Sequence, residues 1–363
     1  MRVGVLGSGQ LGKMLALAGR PLDIDFIFYG PDPQPCAAGL GEVVIAEFSN
    51  AEKINYFLNK VDVVTAESEH IPTELLASIS KLKPVYAQTE AIAIAQNRDK
   101  EKQFLQSLDI PLAKFTLIDD ADSVLQLLND SPNGIIIKTC LDGYDGKGQV
   151  SIAANTSRSD IENILSDMGS QPLVAEQRLS FDREVSLVCV RNPQGDERFY
   201  QLTNNLHADG ILRRSVISPD DPLFIQAKDY ATRVLDKLEY VGVMCFEFFD
   251  CDGQLITNEI APRVHNSGHL TIEGAITSQF ENHVRAICNM PLGATELAGY
   301  SVMYNLIGDE PDVTNLLSIN GSHVHIYGKA ARANRKLGHV TFSFDSMDAL
   351  NKAITTLDKT FQH

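Results

Sequence analysis

Short β-branched runs alternate with helical stretches over the first 90 residues, and this alternation constrains the fold more than any other feature of the sequence. It indicates a parallel, doubly wound sheet with helices between the strands. The predicted strands are Val3–Leu6, Phe26–Tyr29, Val43–Ala46, Val61–Thr65 and Val85–Ala87, and the predicted helices are Leu11–Ala18, Ala51–Leu58 and Thr73–Leu82. Ligands bind such sheets where the strands end. The candidate segments are therefore Gly7–Gly12, Gly30–Pro35 and Glu67–His70.

The rest of the chain is read as two further units, because 363 residues exceed the size at which one core stops growing, about 250–300 residues. We predict an amino-terminal doubly wound α/β domain over 1–107 and a small α+β domain over 108–174. A large domain with an antiparallel sheet is predicted over 175–363. The fold class is thus α/β and α+β combined.

The charge balance excludes one class of partner. Subtracting 47 acidic from 31 basic residues gives −16, and a chain this acidic lacks the basic face that duplex nucleic acid requires. No run approaches the ~20 apolar residues of a membrane helix, and the start of the chain has no signal-peptide pattern. Six scattered cysteines without a C-x-x-C pair predict reduced thiols rather than a zinc site. We therefore expect a cytoplasmic protein that binds neither nucleic acid nor membrane.

The first glycine-rich segment is ambiguous by itself. Gly7–Gly12 matches G-x-G-x-x-G between a strand and a helix, and Asp32 lies 20 residues further on, as in dinucleotide-binding domains. Asp32 also stands in a Pro-Asp-Pro sequence that favours a local turn. Three interpretations stay open: a dinucleotide site, a tight turn only, or a site for another phosphate or polar ligand.

A second glycine-rich loop, Asp142–Gln149, follows Lys138 at the end of a predicted strand. Three glycines allow its backbone N–H groups to fold over an anion, and the lysine projects to the same place. The loop is not a Walker A sequence. We interpret it as a flap over phosphates, and the alternative is an ordinary hairpin with solvated charges.

Two glutamates are predicted to face each other across a hairpin. With the turn centred on Gly253, outward counting pairs residue 252 with 254 and Glu247 with Glu259. Opposed carboxylates in apolar strands need a compensating charge, and a small set of oxygen ligands with open positions suits Mg²⁺. Alternatively, an arginine pairs with one glutamate, or a register slip separates the two.

Together these residues resemble the ATP-grasp ligases, and among them the 5-(carboxyamino)imidazole ribonucleotide synthases of purine biosynthesis. The segments that carry the resemblance span nearly the whole chain: Gly7–Gly12, Glu67–His70, Gly143–Gln149, Asn204–Leu212, Asn258–His269 and Arg335–His339. The resemblance implies that ATP, bicarbonate and 5-aminoimidazole ribonucleotide react to give the carbamate, ADP and phosphate, with carboxyphosphate as the intermediate. It also implies a homodimer.

The resemblance assigns one set of residues to ATP and Mg²⁺. Glu247 and Glu259 are expected to hold the metal ion. The residues expected to bind the nucleotide are Arg98, Lys138, Gly143, Tyr144, Asp145, Gly146, Lys147, Gly148, Gln149, Glu176, Gln177, Arg178, Leu179, Glu184, His207, Asn258 and Glu259. Within this set, backbone groups of the 173–179 segment are expected to read the base, and Glu184 to hold the ribose. The alternative for His207 is a structural histidine.

A second set is expected to bind the reacting groups. Arg263 and His265 are expected to hold carboxyphosphate, Arg263 through its bidentate fork. Asp145 and Lys329 complete the expected catalytic residues. The residues expected to bind the ribonucleotide are Gln10, Leu11, Glu67, Tyr144, Lys147, Asn266, Lys329, Arg332, Arg335 and Lys336.

The sequence departs from the family pattern in two places. Asp142 and Lys147 replace a usual glycine and arginine, and Ala333-Asn334 replaces a usual Pro-Gly before Arg335. The nearest rival function is a formate-using glycinamide ribonucleotide formyltransferase, which has glutamate at the position of Gln10. Biotin carboxylase is disfavoured by the chain length. An NAD-dependent dehydrogenase leaves residues 138–269 unexplained, and a non-catalytic nucleotide-binding regulator is disfavoured because the lysine, the flap and both carboxylates are present.

Overall fold

The computed structural model describes residues 1–141 and 148–361. The amino-terminal unit contains a five-stranded sheet in the order β3-β2-β1-β4-β5, with all neighbouring strands parallel. Its elements are β1 (Arg2–Leu6), α1 (Gln10–Gly19), β2 (Asp25–Gly30), β3 (Glu42–Ile45), α2 (Ala51–Leu58), β4 (Val63–Ala66), α3 (Thr73–Ile79), β5 (Val85–Tyr86), α4 (Thr89–Ala95) and α5 (Arg98–Ser107). The predicted doubly wound sheet is confirmed, and α4 is an additional helix that the sequence reading missed.

The chain reverses its winding direction between β1 and β4, which are neighbours in this sheet. Ligand sites of doubly wound sheets lie at this point. The loop after β1 carries Gly7–Gly12, and the loop after β4 carries Glu67. The topology therefore brings two of the three candidate segments together.

The small unit is built on a four-stranded antiparallel sheet in the order β6-β9-β7-β8. Its core is formed by Val124, Ile135, Ile137 and Ile161, all fully buried. Its elements are β6 (Phe115–Ile118), α6 (Ala121–Asn129), β7 (Ile135–Thr139), β8 (Gln149–Ile152), α7 (Arg158–Asp167) and β9 (Leu173–Gln177). The predicted division between residues 174 and 175 falls inside β9, because this strand pairs with β7 along its whole length and with β6 over residues 173–176.

The large unit contains a nine-stranded antiparallel sheet in the order β15-β14-β10-β12-β13-β16-β18-β17, with β11 paired to β10. Its elements are β10 (Arg183–Arg191), β11 (Glu197–Phe199), β12 (Leu202–Ala208), β13 (Ile211–Ser218), α8 (Phe224–Lys237), β14 (Gly242–Cys251), β15 (Gln254–Ala261), α9 (Thr271–Gly274), α10 (Gln279–Ile287), β16 (Tyr300–Gly308), α11 (Val313–Ser318), β17 (Ser322–Ile326), β18 (Arg332–Phe344) and α12 (Met347–Phe361). The strand β15 lies at one edge of this sheet, a position that matters for the site.

All six cysteines are free thiols, and all except the half-buried Cys251 are buried. Burial raises the pKa of each of these thiols above its usual range. The prediction of unpaired, mostly buried cysteines is confirmed. Among the described residues, no helix is both long enough and apolar enough to cross a membrane.

Candidate functional site

The carboxylate of Glu67 fills the glycine-rich loop after β1. The N–H groups of Gly9 and Gly12 each donate to one of its oxygens at 2.7 Å. A Cβ atom would lie only 2.1 Å from Glu67 if placed on Gly7, and 2.8 Å away if placed on Gly9, so the glycines are needed for this close approach. The amino terminus of α1 thus already holds an anion from its own chain. This contact disfavours both the dinucleotide and the separate-phosphate interpretations of the loop.

The second element of the dinucleotide pattern is equally local. The carboxylate of Asp32 accepts the N–H of Gln34 at 2.8 Å, as expected for an aspartate in a turn. The predicted substrate residues Gln10 and Leu11 are the half-buried first residues of α1, and Gln10 has the polar side chain of the two. Burial raises the pKa of Glu67, although the two N–H donors favour its charged form.

The two predicted metal carboxylates, Glu247 and Glu259, do face each other, but the turn and the strand pairing that bring them together differ from the prediction. The turn contains only Asp252 and Gly253, because Cys251 pairs with Gln254. This register alone would place Glu247 opposite Asn258. A β-bulge at Asn258 adds one residue to β15, so that Glu247 pairs with Glu259. The prediction of the facing pair is confirmed, while the predicted centre of the turn is wrong by half a residue step.

The negative charge of the carboxylate pair is compensated only in part, and an arginine does pair with one of the two glutamates, as one sequence alternative expected. Burial and the charge of Glu259 raise the pKa of Glu247 to about 7. Arg98 lies 3.4 Å from Glu259, and Nε2 of His265 lies 3.3 Å from Glu247. Two facing oxygen ligands with open positions beside phosphate oxygens fit Mg²⁺. Within residues 1–141 and 148–361, no cluster of three or more His, Cys, Asp or Glu side chains forms a complete metal cage.

A buried charge cluster marks the nucleotide side of the site. Lys138 lies close to the carboxyl end of β7, and its Nζ lies 3.1 Å from one oxygen of Glu176. Lys102 on α5 lies 3.0 Å from the other oxygen. Burial alone would raise the pKa of Glu176, but the two lysines hold it at about 2. Lys102 was not predicted as a site residue. Its position one helical turn after Arg98 could have indicated it, because residues four apart lie on the same face of a helix.

The segment after Glu176 is only partly free to bind a base. The N–H groups of Gln177 and Arg178 donate to the carbonyl oxygens of Lys114 and Gly134 at 2.8 and 3.0 Å. These two donors are therefore unavailable for the predicted reading of the base. Leu179 is half-buried and Arg178 is exposed.

Glu184 and His207 lie on neighbouring strands and form a contact of 2.5 Å between Oε2 and Nδ1. Burial lowers the pKa of His207, but the hydrogen bond to Glu184 and the charge of Glu247 outweigh this effect and raise it. The two residues predicted for the nucleotide are thus brought together as an ion pair. Asn258 is half-buried at the bulge in the same sheet.

The fork of Arg263 is occupied. Its Nε and Nη2 donate to the two carboxylate oxygens of Glu69, and its Nη1 donates to the carbonyl of Val264 at 3.2 Å. Burial would raise the pKa of Glu69, yet Arg263 lowers it to about 2. The fork predicted for carboxyphosphate therefore binds a carboxylate of the protein itself. Glu69 stood in a recognised motif but was not predicted as a site residue.

The imidazole of His265 has a defined orientation. Its Nδ1 accepts the N–H of Ser267 at 3.3 Å and lies 2.9 Å from the hydroxyl of the same residue. The ring proton of the neutral form is thus on Nε2, directed at Glu247. Burial holds the pKa of His265 well below its ordinary value. The amide of the neighbouring Asn266 exchanges two hydrogen bonds with Asn305.

The carboxy-terminal cations converge on the site from β18 and the segment before it. Lys329 lies 5.8 Å from the centre of the Tyr327 ring, and burial lowers its pKa, with Arg335 and Lys336 close enough to contribute. Glu67 also acts on Lys329, and Lys336 acts on Glu247, so these two cations lie on the inner side of the group. Arg332 is exposed, and Arg335 donates to the carbonyl of Ala330 at 3.3 Å.

The flap is described only at its end. Gly148 adopts φ +71°, and a Cβ there would lie 2.7 Å from the hydroxyl of Thr139. Gln149 is the exposed first residue of β8. The predicted residues Gly143, Tyr144, Asp145, Gly146 and Lys147 lie outside the described residues.

Family models match three consecutive parts of the chain. A ribonucleotide synthetase preATP-grasp domain matches residues 1–96, an ATP-grasp domain matches 103–280, and a phosphoribosylaminoimidazole carboxylase C-terminal domain matches 301–353. The first of these ranges covers the parallel sheet, and the other two cover the antiparallel sheets between them. The matches leave the predicted boundaries at residues 107 and 174 as predictions.

Curated relatives and solved structures give the same family. The N5-carboxyaminoimidazole ribonucleotide synthase of Pseudomonas aeruginosa is 45% identical over 344 residues and matches 94% of each chain. The crystal structure of the synthetase from Thermus thermophilus has a TM-score of 0.92 and 40% identity, and 98% of each chain is covered. The Aspergillus clavatus enzyme in complex with ADP and 5-aminoimidazole ribonucleotide has a TM-score of 0.89 and 28% identity, with 99% of this chain and 98% of that chain covered.

Four observations agree: the facing glutamates at the bulge, the buried lysines around Glu176, three family models in order, and similarity over 94% of the chain. The chain belongs to the N5-carboxyaminoimidazole ribonucleotide synthase family, and it is an ATP-grasp ligase that carboxylates 5-aminoimidazole ribonucleotide with the use of ATP.

Proposed function

We propose that the reaction runs through carboxyphosphate, formed from ATP and bicarbonate beside the Glu247–Glu259 pair. The observation that carries this proposal is that pair itself, opposed across β14 and β15 with Arg98 beside it. The amine of 5-aminoimidazole ribonucleotide then attacks the activated carbon, and ADP and phosphate are the other products. Holding the three reactants together supplies most of the rate in such a transfer.

The nucleotide side is assigned to the residues that surround Glu176. Lys138 and Arg98 bind the ATP phosphates, and Lys102 keeps Glu176 neutralised when Lys138 turns to the phosphates. Glu184 and His207 hold the ribose, and the 173–179 segment lines the base. Glu247 and Glu259 would hold Mg²⁺, with Asn258 beside them, and this ion would neutralise charge on the phosphate oxygens.

The carboxylation side is assigned to Arg263 and His265. His265 presents an Nε2–H donor because Ser267 occupies its Nδ1, so it hydrogen-bonds an oxygen anion rather than removing a proton. Carboxyphosphate replaces Glu69 at part of the Arg263 guanidinium, because both ligands present carboxylate oxygens of similar shape. Asp145 contacts the reacting amine, and Lys329, which also binds the 5′-phosphate, completes the catalytic residues.

The ribonucleotide side is assigned to the carboxy-terminal cations and the first loop. Its 5′-phosphate binds the cluster Lys329, Arg332, Arg335 and Lys336, four cations within eight residues of an acidic chain. Its base and ribose contact the remaining residues of the substrate set: Gln10, Leu11, Glu67, Tyr144, Lys147 and Asn266.

The working form is proposed to be a cytoplasmic homodimer. Support for the compartment comes from the six free thiols, which are typical of a reducing environment. The dimer rests on the family resemblance, and light scattering of the purified protein measures it directly.

The test is ADP release by the purified protein with Mg-ATP and bicarbonate, with and without 5-aminoimidazole ribonucleotide. We expect release that depends on the ribonucleotide. Glu259→Gln should abolish turnover in a folded protein. Glu197→Gln is the matched control, since Glu197 is another half-buried carboxylate of the same sheet, 3.8 Å from Arg191. Activity with glycinamide ribonucleotide and formate instead would move the substrate to the rival class, and full activity of Glu259→Gln would remove the metal role.

A further inference from the structure

The metal carboxylate Glu259 lies on β15, an edge strand whose outer side, among the described residues, pairs only through an isolated bridge between Thr257 and Leu112. Edge strands expose N–H groups that need other partners. Three such groups are satisfied on the outer side of β15. Leu255 N–H donates to the side-chain oxygen of Gln226 at 2.7 Å, and Thr257 N–H donates to the carbonyl of Pro111 at 2.8 Å. Ile260 N–H donates to Oε1 of Glu101 at 2.7 Å.

The spacing of these three donors along β15 reflects the bulge at Asn258. Outward N–H groups of a regular strand recur every two residues, as Leu255 and Thr257 do. The next one is Ile260, three residues on, because Asn258 is the extra residue. Glu101 therefore binds the first outward N–H group after the bulge, immediately behind Glu259. A bulge re-aims the side chains around it, so a partner at this point fixes where they are directed.

Glu101 belongs to a helix that also contacts the side chain of Glu259. Arg98, one helical turn earlier on α5, lies 3.4 Å from Oε2 of Glu259. Glu101 is 2% exposed, and its position is fixed by the surrounding protein. The helix thus makes two contacts at this place in β15: Arg98 contacts the carboxylate of Glu259, and Glu101 accepts the N–H of the next residue, Ile260.

We propose that Glu101 is a positioning residue for the metal site, in which its side chain replaces the missing neighbouring strand and holds the bulge of β15 so that Glu259 faces Glu247. It acts through the backbone and touches no reacting atom. This inference deepens the proposed function and rests on it, because it takes Glu259 as a metal ligand.

The contact that holds β15 needs an acceptor at this point, because the N–H of Ile260 donates to Oε1 of Glu101 at 2.7 Å. A glutamine side chain has the same length and the same carbonyl acceptor. Glu101→Gln should therefore preserve the site, whereas Glu101→Met keeps the volume but leaves Ile260 N–H buried without a partner.

The experiment titrates Mn²⁺ into the full-length enzyme with ADP and follows bound Mn²⁺ by electron paramagnetic resonance. Mn²⁺ is the probe because it accepts the same oxygen ligands as Mg²⁺. Glu101→Met should weaken Mn²⁺ binding about 10- to 100-fold, as loss of outer partners of metal ligands does. Glu101→Gln should bind Mn²⁺ within about twofold of the unchanged enzyme, a difference of less than ~0.5 kcal/mol. Hydrogen exchange at the Ile260 amide should accelerate in Glu101→Met and not in Glu101→Gln.

Gln226→Met is the matched control. It removes a side-chain acceptor from the same edge of the same strand, but on the other side of the bulge from Glu259. We expect faster exchange at Leu255 with unchanged Mn²⁺ binding. If Glu101→Met does not fold, Glu101→Asp replaces it, since the shorter side chain draws the acceptor away from Ile260 and should also weaken binding.

Two outcomes separate the inference from its foundation. In the first outcome, Glu259→Gln loses Mn²⁺ binding, but Glu101→Met, or Glu101→Asp if that variant is used, binds Mn²⁺ as the unchanged enzyme does. This result overturns the positioning role and leaves the proposed function intact. Unchanged Mn²⁺ binding in Glu259→Gln overturns the metal role itself, and the inference with it.

Discussion

Replacing Lys102 with methionine tests the charge cluster that separates the nucleotide side of the site from the core. Lys102 and Lys138 share Glu176, with side chains that are 2%, 11% and 7% exposed. Methionine keeps most of the aliphatic stem of the lysine and removes only the charge. The variant therefore leaves Glu176 with Lys138 as its sole cation within salt-bridge distance among the described residues.

The magnitude follows from the carboxyl group. A fall of the Glu176 pKa from 4.5 to about 2 corresponds to about 3.4 kcal/mol of stabilisation of its charged form. Lys138 and Lys102 both lower this pKa against the opposing effect of burial, so the loss of one lysine should remove on the order of half of this stabilisation, about 1.5 kcal/mol. The sign is that of a carboxyl with a lowered pKa: this stability is present above pH 4.5 and is lost as the pH falls toward 2. At pH 7 the variant should lose about 1.5 kcal/mol of the free energy of unfolding.

The assay is urea unfolding at pH 7 of four proteins: the unchanged enzyme, Lys102→Met, Glu176→Gln and the double variant. The cycle isolates the coupling between the two side chains. We also expect the KM for ATP to rise more than the KM for the ribonucleotide in Lys102→Met, because Lys138 is then held by Glu176. Lys114→Met is the control, since the exposed Lys114–Asp130 pair at 3.5 Å should contribute less than about 1 kcal/mol. A coupling energy below about 0.3 kcal/mol would refute the reasoning.

Three further predictions concern separate parts of the molecule. Burial lowers the pKa of His283 to about 4, so as the pH falls the unfolded state binds a proton at this histidine before the folded state does. About 2 kcal/mol of the free energy of unfolding should therefore be lost between pH 8 and pH 5. Urea unfolding of His283→Gln should show a smaller loss over that range. Arg335→Ala should raise the KM for the ribonucleotide about tenfold, the effect of one phosphate contact of ~1.4 kcal/mol, and equal effects on ATP and ribonucleotide in steady-state kinetics would contradict the assignment. Gly9→Ala should displace Glu67, which lies 2.8 Å from the new Cβ, and raise the KM for the ribonucleotide about tenfold, whereas an unchanged KM would mean that Glu67 has no part in binding.

Periodicity and turn composition were enough to place most strands and helices, because local preference and burial agree in these segments. The Glu247–Glu259 pair shows the limit of this reasoning. Counting outward from Gly253 reached the correct partner, but the structure combines a two-residue turn with a bulge at Asn258. Bulges depend on what packs beside a strand, and the partner here, Glu101, lies 159 residues away in sequence.

The sequence did not indicate the contacts in which one charged or polar group of the protein binds another. The glycine loop matched a dinucleotide pattern because it must admit an anion, and that anion proved to be Glu67. Arg263 was predicted to bind a free anion, and its pairing with Glu69 was not predicted. Such pairings join residues far apart in sequence, and a single sequence holds no record of them.

The buried cysteines of the native protein can be used to measure local opening of the structure. A thiol reagent reacts with the thiolate, so each buried cysteine is labelled only when the structure around it opens. Cys36 and Cys288 report on the amino-terminal sheet and the helix packed against it, and Cys189 and Cys245 report on the large sheet. Cys140 is 1% exposed and accepts the N–H of Arg98 through its carbonyl at 3.0 Å, where the small sheet meets α5. The labelling rate of Cys140 therefore measures how often the small sheet separates from α5, with no engineered probe in the chain.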